Sequence, residues 1–334
     1  MRTSRIKIAP QLGAAIYHCM SRTNNGERCL DNAAKEIFRK QMWQIAEFCG
    51  VQVLTYAVMN NHFHVLVRVP KKTIPDDQEL LRRFYVLYPK PNIYQKFRIE
   101  TIAEQLKKGD PAANPWRAQQ LALMGDVSQF MKLLKQRFAM WFNRTHKRFG
   151  HFWADRFKSV LVEGRGNVTA TMAAYIDLNP VRAGLVEDPK DYRFCGYSEA
   201  VAGKKTAQDG LATVIAITSG NKNTSWSDAR AGYRLMLFGT GATSRANKVA
   251  ITPEMLAKVV EENGVLPLAT VLRCRLRHFT DGAVLGTRAF VAEQLAGYRR
   301  RTGLRARTSP RPLPNVTDWG DLATLRGLRK RASG

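Results

Sequence analysis

The sequence is poor in acidic residues and has no long apolar run. Across 334 residues, 27 Asp and Glu stand against 53 Lys and Arg, which gives a formal net charge of +26 at pH 7. This excess of positive charge attracts polyanions, with nucleic acid as the leading partner, although an anionic membrane surface also fits the charge. A helix that spans a bilayer needs roughly 18 apolar residues in a row, so we expect no membrane-spanning segment.

The cysteines are scattered and form no recognisable site. An odd number of cysteines without a C-x-x-C pair is typical of reduced packing residues, and excludes a disulfide framework or a zinc knuckle. The first ten residues are basic but lack the apolar core of a signal peptide, so we expect a cytoplasmic protein. The sequence also contains no P-loop and no H-E-x-x-H motif. The five cysteines are Cys19, Cys29, Cys49, Cys195 and Cys274.

The segment 60–67 holds two histidines in a pattern typical of a β-strand. Two turn-forming asparagines precede an apolar, β-branched run, and alternation along a strand places His62 and His64 on one face with Leu66. Two imidazoles in this arrangement can bind one metal ion, but a third ligand must come from elsewhere. A half-buried strand that holds two histidines by chance explains the pattern equally well.

The elements around this segment predict an α+β fold. A first strand covers about 15–21, and a helix capped by Asp31 runs over about 32–48 and ends at Gly50. A second strand over about 51–59 then leads into the histidine segment. The order strand, helix, strand, strand indicates a mostly antiparallel sheet covered by helices.

Two further regions depart from this compact pattern. Residues 70–125 are rich in proline and aromatics and are interpreted as a largely helical insertion, after which an apolar stripe predicts a helix from Asp126. Residues 1–203 are predicted to form one catalytic domain, and 204–334 a mainly helical, basic accessory region with a mobile tail. Within that region we expect a polar linker over 204–209 and helices that start at Thr252 and Thr287.

Basic residues interleaved with aromatics mark candidate nucleic-acid contacts. Cations neutralise phosphates while aromatic rings stack on unpaired bases, although a solvated face with packed aromatics gives the same composition about as often. The stretch 143–158 has this character. Positive charge also marks one residue at the end of the first strand and three consecutive arginines near the C-terminus as candidate contacts. The predicted contacts are Arg22, Arg144, Lys147, Arg148, Arg156, Lys158, Arg299, Arg300 and Arg301.

A helix predicted over 168–179, with Asn167 as its cap, carries a second candidate group. Tyr175 and Asn179 are four residues apart and therefore share one helical face, from which both could face the histidines. Pro180 biases Asn179 away from helical geometry, so we expect the last turn to be distorted. Spacing alone does not distinguish a functional Tyr175 from an amphipathic core tyrosine.

Four motifs together resemble the IS200/IS605-type single-tyrosine (HUH) transposases, and most of all the REP-associated tyrosine transposases. The resemblance extends over about 13–200, apart from the insertion. The motifs are Y-H-C-M-S-R at 17–22, N-H-F-H-V-L-V at 61–67, G-H-F-W-A-D-R-F-K-S at 150–159 and Y-I-D-L-N-P-V-R-A-G-L-V at 175–186.

The resemblance implies a ferredoxin-like antiparallel sheet and a metal-dependent reaction on single-stranded DNA. It assigns His62 and His64 as ligands of Mg²⁺ or Mn²⁺, Asn179 as the third ligand and Tyr175 as the nucleophile that forms a 5′-phosphotyrosine intermediate. The implied substrate is single-stranded DNA beside a hairpin, and the implied process is DNA transposition by recombination. Whether the protein acts as a monomer or a homodimer stays open.

Two other functions remain as alternatives. A domesticated descendant could bind hairpin DNA or RNA without turnover, held by its positive charge. A hydrolytic metalloenzyme that activates a water between His62 and His64 is the weaker alternative, because the sequence lacks a carboxylate-rich site.

Overall fold

The computed structural model describes residues 5–9, 11–221, 223–238, 278–303, 308–313 and 321–326. Its centre is a seven-stranded sheet in the order β2-β3-β1-β4-β5-β7-β6. All neighbouring strands are antiparallel except β4 and β5, which are parallel. The strands are β1 (Ala15–Arg22), β2 (Gln52–Val58), β3 (His62–Val69), β4 (Lys158–Val162), β5 (Val284–Thr287), β6 (Arg311–Pro312) and β7 (Leu322–Leu325).

Helices cover both faces of the sheet and account for most of the remaining regular structure. Their bounds are α1 (Asn32–Cys49), α2 (Asp77–Leu87), α3 (Ile93–Lys108), α4 (Asn114–Leu121), α5 (Val127–Thr145), α6 (Val168–Asp177), α7 (Asn179–Arg182), α8 (Gly196–Val201), α9 (Lys205–Ser219), α10 (Trp226–Phe238), α11 (His278–Asp281) and α12 (Arg288–Thr302). None of the helices in the described part of the chain is long and apolar enough to cross a membrane.

The first four strands with α1 and α5 reproduce the predicted ferredoxin-like core. The order β2-β3-β1-β4 is fully antiparallel, and α1 and α5 pack together on one face. Phe38 of α1 contacts Phe63 of β3 and Phe138 of α5, with ring centroids 4.5 and 5.3 Å apart. The prediction of an α+β fold with a mostly antiparallel sheet is confirmed.

Local capping signals fix where these helices begin and end. Asp31 accepts a hydrogen bond from Ala34 N, and Gly50 closes α1 in the left-handed conformation, both as the sequence predicts. Asp126 caps α5 in the same way. Side-chain acceptors at a first turn satisfy backbone donors that have no partner within the helix. The insertion over 70–125 is helical as predicted, and its helix α2 packs against α1.

The second face of the sheet is covered by helices from the middle of the chain. Helix α6 packs on β2 and β3, while α9 packs on β2. Gly210 of α9 lies so close to the β2 backbone that an added Cβ would be 2.5 Å from the Val53 carbonyl oxygen. Close approach of two backbones requires glycine here, next to the irregular β2–β3 pairing between Val53 and Thr55.

The described residues after 203 join the same sheet and its second helical layer. The linker predicted over 204–209 is wrong, because α9 begins at Lys205 and its periodic apolar residues bury Leu211 and Val214 against the core. Strand β5 extends the sheet beside β4, and the Glu163 carboxylate accepts a hydrogen bond of 2.6 Å from Thr287 N. The predicted helix after Thr287 is present as α12, capped by that threonine.

The predicted domain boundary at 203 stays a prediction. The predicted helix from Thr252, Cys274 and most of the C-terminal tail lie outside the described residues.

Asp177 joins four elements through a fully buried carboxyl group. Its oxygens accept hydrogen bonds from Thr55 Oγ1 at 2.7 Å, from Tyr197 N at 3.2 Å and from the Tyr233 hydroxyl. Burial raises the pKa of Asp177 to about 7, against the opposing effect of these donors. The group ties α6 to β2, α8 and α10, on the side of α6 that is directed away from the cleft described below.

We expect Asp177 to make stability depend on pH. Because its folded pKa is raised, the stabilisation is complete below the unfolded pKa of about 3.9 and is lost as pH rises through about 7. Asp177→Asn is a neutral isostere that does not titrate. From pH 5 to pH 8, the difference in free energy of unfolding between this variant and the wild type should therefore shift by about 2–3 kcal/mol in favour of the variant. Urea unfolding across that range measures the difference, and a constant difference would contradict a titrating Asp177.

Candidate active site

A cleft of about 620 Å³ opens between the sheet and the turn that joins α6 to α7. Its walls include His62 and His64 from β3, Tyr175 from α6 and Asn179 from α7. Over a hundred residues separate the two pairs in sequence. The cleft therefore brings together the four residues for which the sequence predicts metal binding and nucleophilic attack.

The turn that leads into β3 is fixed by neighbouring segments. Lys35, a buried residue of α1, donates a hydrogen bond of 2.6 Å to Asn60 Oδ1. Thr23 N donates to the Asn61 carbonyl at 2.9 Å. The strand consequently starts at a defined residue. His62 and His64 both face the α6 side, which confirms the predicted alternation.

His62 has a defined tautomer. The Asn61 amide donates through Nδ2 to the Gly26 carbonyl at 3.0 Å, which leaves Asn61 Oδ1 as an acceptor. That oxygen lies 2.7 Å from His62 Nδ1, so the imidazole proton is on Nδ1. In a neutral ring Nε2 then carries the lone pair, which is the form that binds a metal ion.

His64 lies deeper, with its ring centroid 5.2 Å from that of His62. His64 is 3% exposed, and its Nδ1 is 2.8 Å from Nε2 of His18. Burial lowers the pKa of His64 well below its ordinary value and that of His18 to about 4. Both rings are therefore neutral at pH 7, which is the protonation state required of metal ligands.

The helix that carries Tyr175 ends earlier than predicted. Helix α6 stops at Asp177, Leu178 has φ −80° and ψ 0°, and α7 begins at Asn179 with Pro180 in its first turn. Asn167 occupies the N-cap position as predicted, but its side chain makes no capping hydrogen bond. Pro180 lacks an N–H and cannot donate a hydrogen bond to the Ile176 carbonyl, which explains why α6 ends before it. Asn179 itself stays helical, as the first residue of α7.

The break leaves Asn179 facing the cleft with its amide oriented. Its NH₂ group donates to the carbonyls of Ile176 and Tyr175 at 3.2 and 3.4 Å. The oxygen Oδ1 is therefore the atom that Asn179 offers to a ligand. Tyr175 is 2% exposed and forms the inner wall, with its ring centroid 6.5 Å from that of His64.

Arg182 lies against the candidate nucleophile. Its guanidinium carbon is 4.0 Å from the centre of the Tyr175 ring, and Nη2 donates to the Tyr175 carbonyl at 2.5 Å. Phe279 covers the same ring, with centroids 4.6 Å apart. A cation over an aromatic face is attracted by the ring quadrupole. Arg182 and Phe279 together fix the orientation of the Tyr175 side chain.

The predicted nucleic-acid contacts fall into three groups. Among the described residues that line the cleft, Arg22, Arg156, Lys158 and Arg182 are cationic and Asp155 is the one acidic residue. In the second group, Arg144 lies in the last turn of α5, and Lys147 and Arg148 lie on the loop after it. Arg148 pairs with Glu27 at 2.8 Å. The third group, Arg299, Arg300 and Arg301, lies in the last turn of α12.

The α12 group is not part of the cleft. Arg301 lines a separate hollow with Arg5 and Lys7, beside Ala15 and Tyr17 at the opposite end of β1. The structure thus brings only the first group of predicted contacts to the histidines and Tyr175.

The donor set is compatible with one hard divalent ion. In the described part of the chain, no three His, Cys, Asp or Glu side chains converge on a common ion position. Two imidazole nitrogens and the Asn179 amide oxygen nevertheless line one cleft. Such an open set of three suits Mg²⁺ or Mn²⁺ with substrate and water as further ligands better than a closed structural zinc site.

Comparison with known proteins supports the resemblance over the N-terminal part. Residues 12–78 match the family model described as "Transposase IS200 like", which confirms the resemblance over β1 to β3. A solved structure described as "Structure of the REP associates tyrosine transposase bound to a REP hairpin" is similar at 13% identity and a TM-score of 0.39. The alignment covers 61% of this chain and 87% of that chain. No curated protein matches.

Three residues that contact His64 or Tyr175 were not predicted from the sequence. Arg182 has no helical-spacing signal, because the break at Leu178 lies between it and Tyr175. His18 shares a β1 face with Met20, which lies opposite His64 in the register, so strand alternation could have indicated it. Phe279 has no sequence signal, because its contact with Tyr175 spans more than a hundred residues.

We expect Arg182 to contribute to stability through its contact with Tyr175. Replacement by Met keeps an apolar stem but removes the guanidinium, so Arg182→Met should lower the free energy of unfolding by about 1–2 kcal/mol. Arg165→Met, at an exposed turn, is the matched control and should change stability by less than about 0.5 kcal/mol. Equal effects of the two substitutions in urea unfolding would show that the contact contributes nothing.

Proposed function

We propose that this protein is a metal-dependent endonuclease and strand transferase that acts on single-stranded DNA. The observation that carries the proposal is the convergence of two imidazoles, an amide oxygen and a phenol in one cationic cleft. The similarity of residues 12–78 to IS200-like transposases supports the same reaction class. We assign His62, His64 and Asn179 as metal ligands and Tyr175 as the nucleophile.

In the proposed reaction, Tyr175 Oη attacks the scissile phosphorus. The bond from Oη to phosphorus forms, the bond from phosphorus to the 3′ oxygen breaks, the phenol proton is lost and the leaving oxygen is protonated. The products are a 5′-phosphotyrosyl strand and a free 3′-hydroxyl. Attack by a 3′-hydroxyl on the phosphotyrosine reverses the step and joins strands, so that no nucleotide cofactor is consumed.

A free phenol has a pKa of about 10 and is a weak nucleophile at pH 7. When bound, Mg²⁺ or Mn²⁺ would polarise the phosphate and stabilise its developing charge. The protein itself contributes by positioning the Tyr175 side chain. Arg182 and Phe279 hold the Tyr175 ring, and the guanidinium favours negative charge nearby.

The charge around the cleft suits a nucleic-acid strand. Arg22, Arg156 and Lys158 are exposed at its rim and can neutralise successive phosphates. The net charge of +26 adds a long-range attraction. We propose single-stranded DNA next to a hairpin as the substrate, as the sequence resemblance implies.

The covalent step predicts a protein–DNA adduct that depends on one tyrosine. Incubation of the full chain with Mn²⁺ and a labelled hairpin oligonucleotide should give an adduct that survives denaturing electrophoresis. Tyr175→Phe should abolish it because only the phenol oxygen is lost. Tyr94→Phe is the matched control, since Tyr94 is an exposed tyrosine outside the cleft, and its adduct yield should equal that of the wild type.

Binding measured in parallel separates the alternatives. We expect Tyr175→Phe to bind the oligonucleotide within about twofold of the wild type, with affinity that falls steeply with salt. If the wild type binds in this way but forms no adduct with any divalent metal, the protein is a hairpin-binding protein without turnover. An adduct that persists in Tyr175→Phe would contradict the assignment of the nucleophile.

A further inference from the structure

A buried histidine connects the candidate metal site to the C-terminal part of the chain. His18, in the middle of β1, is 1% exposed, and both of its ring nitrogens make contacts. Nε2 is 2.8 Å from His64 Nδ1, and Nδ1 is 2.8 Å from the Phe279 carbonyl oxygen. The His18 and His64 rings are also nearly parallel, at an angle of 20°.

These contacts determine which atom of His64 can bind an ion. A carbonyl oxygen only accepts, so His18 Nδ1 carries the proton and donates it to Phe279. In a neutral ring, His18 Nε2 is then an acceptor and His64 Nδ1 must be its donor. The lone pair of His64 is consequently on Nε2, the other nitrogen of a ring that lines the cleft.

The last acceptor in this series of hydrogen bonds, the Phe279 carbonyl, belongs to a segment that is distant in sequence. Phe279 belongs to α11, directly before β5, and β5 pairs in parallel with β4. The carbonyl of Phe279 holds His18, while its ring covers Tyr175 at 4.6 Å. Phe279, in the C-terminal region, therefore contacts both His18 and the candidate nucleophile Tyr175.

We propose that His18 is a positioning residue that fixes the tautomer and orientation of His64 for metal binding. The proposal rests on the metal site of the proposed function. A histidine ligand generally donates its second N–H to a partner that fixes the ring, and removal of such a partner weakens metal affinity by about 10–100-fold. Here the partner is another imidazole, held in turn by the backbone of α11.

The test compares two substitutions of His18 by Mn²⁺ binding to the full chain, followed by electron paramagnetic resonance of free Mn²⁺. His18→Phe fills similar space but can neither accept from His64 nor donate to Phe279, so Mn²⁺ affinity should fall about 10–100-fold. Gln has both a donor and an acceptor at its end. We therefore expect His18→Gln to retain affinity within about threefold of the wild type.

A stability control separates positioning from simple loss of structure. Cys19→Ala changes the next residue of β1, which is fully buried on the opposite face against the α1 and α5 layer. It should lower the melting temperature while it leaves Mn²⁺ affinity unchanged. Equal affinity in wild type and His18→Phe would overturn the proposal, as would equal losses in His18→Phe and Cys19→Ala.

The metal site itself is tested by the same titration. If the wild type binds Mn²⁺ no more tightly than a His62→Ala, His64→Ala double variant, both the proposed metal site and the role of His18 fail. If the wild type binds more tightly than that variant and His18→Phe does not weaken binding, only the role of His18 fails.

Discussion

The register of β3 between β1 and β2 is the constraint on which the cleft depends. Side chains alternate along a strand, so β3 directs Phe63, Val65 and Val67 into the core beneath α1 while its histidines face α6. A slip of one residue would exchange the two faces and bury both imidazoles among aromatic rings. The Asn60–Asn61 turn, held by Lys35 and Thr23, prevents such a slip. The position of the histidines is therefore a consequence of core packing.

The buried floor of the cleft and its exposed rim differ in charge. Its floor keeps His18 and His64 neutral, because desolvation disfavours the imidazolium form. Its rim is cationic and attracts a polyanion, while the long side chains of Arg156 and Lys158 stay hydrated. Beneath this positive rim, a divalent cation would bind most readily when an anionic substrate accompanies it. This arrangement favours an ion that is shared with phosphate.

The parts of the fold that follow local signals were predictable from the sequence. The caps at Asp31 and Gly50, the first three strands and the helix from Asp126 all depend on neighbouring residues. The alternation that places His62 and His64 together is local as well. A distorted helix end before Pro180 was predicted, but the predicted end lies two residues after the observed one. The start of α9 was missed because polar residues precede its apolar stripe.

The contacts that complete the site could not be predicted in this way. The pairing of β4 with β5 and the carbonyl of Phe279 on His18 join segments separated by more than a hundred residues. Arg182 lies against Tyr175 because of the same helix break, whose geometry depends on how α6 packs on β2. Such contacts are set by tertiary packing and leave no periodic pattern in the sequence.

We propose that one strand, β3, and a broken helix form one metal site. Anomalous diffraction at the manganese edge, from crystals of the full chain grown with Mn²⁺ and a hairpin oligonucleotide, tests it most directly. We expect one strong peak in contact with His62 Nε2, His64 Nε2 and Asn179 Oδ1. A peak held by other residues, or none in a cleft that holds DNA, would contradict it.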